Sequence, residues 1–208
     1  MRAIACIALL LILCAPITVK AQSSRFVVTA TAGSYQTNAF AISHDMFRHV
    51  FYPELQVDAR LVAIPHSSAA LRGGVFWGYY DDGVNEPSHS CVDCATYSMS
   101  SHTVGARLIL SLFDSKTLPI GLSAGIARQF ITARHVGGRD WVVPPERMTL
   151  NSNVAVFGLQ VRVPVYRALK IHLAARRFIA LPMHGDVVNG IAYGDRHLLQ
   201  AGLSYGIH

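Results

Sequence analysis

Between Arg25 and Ile207 the chain alternates apolar with polar residues, in eight separate stretches. Successive side chains of a strand point to opposite faces, so a strand with one apolar and one polar face produces a period of two, where a helix produces 3.6. Hydrophobic residues make up 51% of the chain and charged residues only 14%. Yet beyond residue 22 no apolar run approaches the roughly 20 residues that a membrane-crossing helix needs. The hydrophobicity must therefore be spread over strands, one face at a time.

The stretches run over 25–33, 51–64, 71–80, 103–112, 120–131, 153–165, 169–181 and 197–207. The fourth sets Val104, Ala106, Leu108, Leu110 and Leu112 against Thr103, Gly105, Arg107 and Ser111. The eighth sets Leu199, Ala201, Leu203, Tyr205 and Ile207 against Gln200, Gly202, Ser204 and Gly206. Connections alternate in length. Those at 66–70, 113–119 and 166–168 are short, whereas 34–50, 81–102, 132–152 and 182–196 are long and polar. Short turns on one rim and long loops on the other predict an all-β, eight-stranded, antiparallel up-and-down transmembrane barrel.

Alternation does not by itself say which face is outside. A soluble lipocalin-like barrel would turn the apolar face inward around a ligand. Three features argue for the apolar face outward. Gly74, Gly78, Gly121, Gly125, Gly158, Gly202 and Gly206 share the charged face, as a crowded lumen requires. That face carries both signs, in Glu54, Asp58, Arg60, Arg107, Arg162, Lys170 and Arg176, so that charges can pair across the interior. Finally, Phe51, Trp77, Tyr79 and Phe130 gather near the long-loop rim, and Phe26 and Tyr205 near the other, as in two interfacial girdles.

The first 21 residues read as a cleavable signal peptide: Arg2, an apolar run from Ala3 to Ala15, Pro16, and small residues before a cut after Ala21. Residues 22–208 then form one barrel domain, exported to an outer membrane. The formal charge of +6 includes Arg2 and Lys20, which leaves +4 on the exported part. No Lys or Arg run suggests nucleic acid. Cys6 and Cys14 leave with the signal peptide, and the remaining pair, Cys91 and Cys94, favours a loop disulfide in an exported protein. His89 and His102 lie near that pair, but the spacing is irregular for zinc, and neither a metal nor a cofactor is expected.

In this pattern, over all of 22–208, the chain resembles the small eight-stranded outer-membrane barrels of the OmpA transmembrane-domain, OmpX and opacity-protein type. The resemblance implies assembly by the barrel-assembly machinery, which reads the C-terminal strand. Such barrels usually finish on an aromatic residue. This chain finishes Tyr205-Gly206-Ile207-His208, keeping Tyr205 and Ile207 on the apolar face. Strand eight ends the chain, so no peptidoglycan-binding module is expected after it.

Arg128 and Arg177 interrupt the apolar face near the outer edge of its band, where an arginine costs about 0–1 kcal/mol. They are candidates for contact with lipopolysaccharide phosphates, or else they snorkel or turn inward at a bulge. Outer-membrane lipid A deacylases carry a His-x-Ser pair. His66-Ser67-Ser68 has that spacing but falls in a short turn, on the side away from lipid A. Ser88-His89-Ser90 and His184-Gly185-Asp186 form no recognisable triad. The expected role is structural or interactional, in a monomer and without enzymatic activity. A narrow porin-like channel is the second reading, and a lipid A-modifying enzyme the third.

Overall fold

The computed structural model describes residues 25–38, 47–64, 69–81, 96–112, 120–137, 147–181 and 196–207. Every regular element among them is a strand: β1 (Phe26–Asn38), β2 (Phe47–Ala63), β3 (Ala70–Asp81), β4 (Thr96–Leu112), β5 (Ile120–Gly137), β6 (Arg147–Tyr166), β7 (Leu169–Ala180) and β8 (Arg196–Ile207). Each pairs antiparallel with its neighbours in sequence, and β1 pairs with β8, closing the barrel. Closure leaves no edge strand, so the ladder satisfies backbone groups that lipid cannot.

The alternation read from the sequence sorts outside from inside. On β5, Leu122, Ala124, Ile126, Arg128 and Phe130 are exposed, while Gly121, Ser123, Ala127, Gln129 and Ile131 are buried. The same holds around the wall, with Leu55, Val75, Trp77, Val104, Leu108, Phe157, Leu159, Leu199 and Leu203 all exposed. A belt of this extent is far larger than a soluble monomer tolerates. The lipocalin-like alternative needed these side chains inside, and they are outside.

Four of the strands extend well past the alternating stretches on the long-loop side. β1 continues to Asn38, β4 starts at Thr96, β5 continues to Gly137 and β6 starts at Arg147. The reason is visible in the outward residues there: Ser100, Thr132 and Thr149 lie in register across β4, β5 and β6. Above the apolar belt the outward face is as polar as the inward one. The ladder continues, but its period-two signal disappears.

At the opposite rim two bulges bend the wall. Leu61 is the extra residue between the pairs Arg60↔Arg72 and Val62↔Leu71. Val165 is the extra residue between Pro164↔Lys170 and Tyr166↔Leu169. Pro164 has no N–H to give the ladder, and a bulge is where sheets accommodate that loss. The hairpin that follows turns in two residues, with Arg167 at a φ of 48°. That left-handed backbone matches the strand twist that two-residue hairpins need.

Candidate functional site in the barrel lumen

The lumen is filled in two layers, and its polar half is built on β2. Three alternate positions, Glu54, Gln56 and Asp58, all face inward and are at most 4% exposed. β7 supplies Arg176, whose Nη1 donates to both Glu54 oxygens at 2.5 Å, and whose Nη2 donates to Gln56 Oε1 at 3.3 Å. Gln56 Nε2 in turn donates to Asp58 Oδ2. On the same carboxylate oxygen, Arg162 Nη2 from β6 donates at 2.5 Å. Arg162 Nε then reaches His172 Nδ1 at 3.4 Å. β2 and β6 face each other across the ring of eight, so the Asp58–Arg162 pair spans the full bore. The result is a continuous polar staircase from Glu54 to His172.

Nearer the long loops an aromatic layer replaces the ions. Tyr35, Tyr52 and Tyr80 are 0% exposed and Phe178 is 1% exposed. Tyr35 stacks on Tyr52 at 5.0 Å, tilts against Tyr80 at 5.3 Å and takes Phe178 edge-on at 5.5 Å. Gly78 makes room for it, because a Cβ there would strike the Tyr52 ring. Polar contacts fix the layer from the side. Gln129 Nε2 donates to Tyr35 Oη at 3.0 Å, and Arg196 Nη1 donates to the same oxygen at 3.2 Å. Ile131 and Leu198, both 0% exposed, complete the seal.

The seven charged residues expected in the lumen do not all meet. Glu54, Asp58, Arg107, Arg162 and Arg176 are buried inside. Lys170 is half-buried at the short-turn mouth, opposite Ser204. Arg60, expected inside, is exposed at the short-turn rim. It shares the face of Arg72, its ladder partner, and the bulge at Leu61 begins beside it. Conversely, Arg72 and Arg196, at 1% and 4% exposure, are interior arginines absent from the expected set. Arg72 was findable by counting back two from Gly74. Arg196 and Tyr35 lie just beyond the stretches where alternation was visible.

On the outer surface, Arg128 and Arg177 are both exposed and outward-facing. The Arg128 guanidinium lies 5.5 Å from the Phe130 ring, and Arg177 sits opposite exposed His197. His102 also faces outward and stacks on Trp77 at 6.0 Å. Among the described residues no three His, Cys, Asp or Glu side chains group as metal ligands. Cys91, Cys94, His89 and the signal-peptide segment lie outside the described residues. So do the histidine–serine clusters at 66–68 and 88–90 and His184-Gly185-Asp186.

No protein-family model and no curated protein matches the chain. Solved structures do. Neisserial surface protein A superposes with a TM-score of 0.63 at 16% identity, over 88% of this chain and 98% of that one. Its likeness is to the whole barrel, end to end. The fold is that of the small eight-stranded outer-membrane β-barrels. Ail, the attachment invasion locus protein of Yersinia pestis, gives 0.54 at 8% identity over 88% of this chain and 99% of that one. The N-terminal barrel domain of Pseudomonas aeruginosa OprF gives 0.51 at 12%, over 88% and 98%. As an outer-membrane-type barrel, the chain thus keeps a shape that tolerates almost complete replacement of sequence.

Proposed function

We propose that this chain is an outer-membrane protein, exported by a cleavable signal peptide, with a structural or surface-interaction role and no catalytic activity. Such a role covers envelope integrity, adhesion and binding through the long loops. The observation that carries this reading is the filled lumen. An ionic staircase and an aromatic layer occupy it in series, while the outer wall carries a broad apolar belt. A molecule so built anchors in lipid and presents its connections; it does not offer a bore for solutes. The fold has a precedent in surface attachment, since Ail is named for it.

The partners proposed are membrane lipid, the assembly machinery acting on the C-terminal strand, and lipopolysaccharide phosphates at Arg128 and Arg177. Those two arginines stand outward, Arg128 between Val104 and Asn153 and Arg177 between Phe157 and His197. The test is fractionation of the host envelope, followed by electrophoresis of unheated and boiled samples. A folded band in the outer-membrane fraction that shifts on boiling is expected, and a soluble protein without a shift sinks the proposal. In the same preparation, Arg128→Gln with Arg177→Gln should weaken lipopolysaccharide binding without altering the shift.

A further inference from the structure

The buried side chains described inside the lumen carry more positive than negative charge. Among the described residues, five buried arginines (72, 107, 162, 176 and 196) face two buried carboxylates, Glu54 and Asp58, an excess of three positive charges. Glu54 is engaged by Arg176 through both oxygens, and Asp58 by Arg162 through Oδ2. Arg196 is directed at Tyr35 and Gln129. Arg107 differs from all of these. It is 3% exposed, and none of its Nε, Nη1 and Nη2 atoms has a hydrogen-bond partner. Its guanidinium lies 5.4 Å from the Phe76 ring, and Arg176 lies 5.7 Å from the same ring.

A buried cation with all its donors unsatisfied is among the most costly arrangements a protein can hold. Removing the cost takes an anion or an acceptor inside the same space. The positions beside Arg107 on the sheet carry no side chain, and the room they leave is taken by Asp58 and by Arg107 itself. Its ladder partners on both sides are glycines, Gly74 on β3 and Gly125 on β5. A Cβ at Gly74 would strike Asp58 Oδ1, and one at Gly125 would meet Arg107 Cβ at 2.6 Å. Other polar atoms without a hydrogen-bond partner line the same lumen, among them His172 Nε2, both amide atoms of Gln200 and Asp58 Oδ1.

We propose that the lumen holds a small monovalent inorganic anion, of the halide class, bound by the Arg107 guanidinium. A single guanidinium whose donors all lack partners selects a monovalent ion. The setting also selects a resident ion and not a permeating one. The aromatic layer of Tyr35, Tyr52, Tyr80 and Phe178 closes the lumen on the long-loop side. The anion completes the polar plug, and the barrel is most stable when it is bound.

The test uses the chain refolded in lipid vesicles and unfolded with urea at fixed ionic strength, with chloride or with bulky gluconate as the anion. The wild type is expected to unfold at a higher urea midpoint in chloride. Arg107→Met should abolish that difference, with a midpoint in gluconate at or above the wild type, because the uncompensated charge is gone. Arg60→Gln, at an exposed position on the short-turn rim, should keep the chloride response. A wild type indifferent to chloride, or an Arg107→Met barrel that still responds, overturns the proposal. Diffraction from wild-type crystals grown in bromide provides a check that needs no variant. An anomalous peak within hydrogen-bonding distance of Arg107 is expected, and bromide confined to the outer surface would refute the site.

Discussion

Arg176 holds both oxygens of Glu54 and reaches Gln56 with its second terminal nitrogen, and all three residues are cut off from solvent. Such a pair gains its strength from the low dielectric around it and, for the same reason, penalises the loss of either half. Removing one member of a buried pair costs about 3–5 kcal/mol, whereas replacing both by apolar groups of similar volume is often close to neutral. Glu54→Leu alone should therefore lower the unfolding free energy of the refolded barrel by about 3 kcal/mol or more. Glu54→Leu with Arg176→Met should recover most of that loss. Equilibrium urea titration followed by tryptophan emission reads both, and equal losses in the single and double variants would show that the pair is not acting as a unit.

Each strand has to satisfy lipid on one side and a packed lumen on the other, and position along the strand sets how strictly. Ile126 is 67% exposed on β5, in the apolar belt, and Arg128 follows two positions later on the same face. An arginine at the midplane costs about 2–4 kcal/mol against 0–1 kcal/mol near an interface. Ile126→Arg should destabilise the barrel by roughly that larger amount, while Arg128→Gln should shift it by less than about 1 kcal/mol. Comparable losses from the two would place Arg128 deep in the belt. The same gradient explains what could be read from sequence. Strand identity, order and facing were legible wherever lipid demanded apolar residues, as at Val104, Ala106 and Leu108. The ladder beyond the belt, through Ser100, Thr132 and Thr149, was not, because water accepts polar residues on either face. In the lumen, the residue types at Glu54 and Arg162 announced a polar interior. Which charges would meet depended on the path across the bore, which leaves no periodic trace.

For the molecule as a whole, the barrel's exterior settles where it can reside, and its interior settles what can pass. Tyr35, Tyr52 and Tyr80 close the lumen on one side, so the wild-type barrel in a planar bilayer should show no steady conductance. Replacing all three by Ala removes the aromatic seal but leaves the Glu54–Arg176 and Asp58–Arg162 pairs in place. That variant should give brief, small openings at most, and adding Asp58→Ala should lengthen them. Steady conductance in the wild type would count against a plugged lumen. The closing of β8 onto β1 has a further consequence. Phe26 lies opposite Ile207, so the two ends of the barrel sequence meet side by side on the short-turn rim. A linker of a few residues could join them, and the chain could be opened instead within any long connection, such as that between β3 and β4. Every rung of the ladder would survive this circular permutation. The sheet is topologically a ring, and the place where translation begins on it is a matter of ancestry, not of architecture.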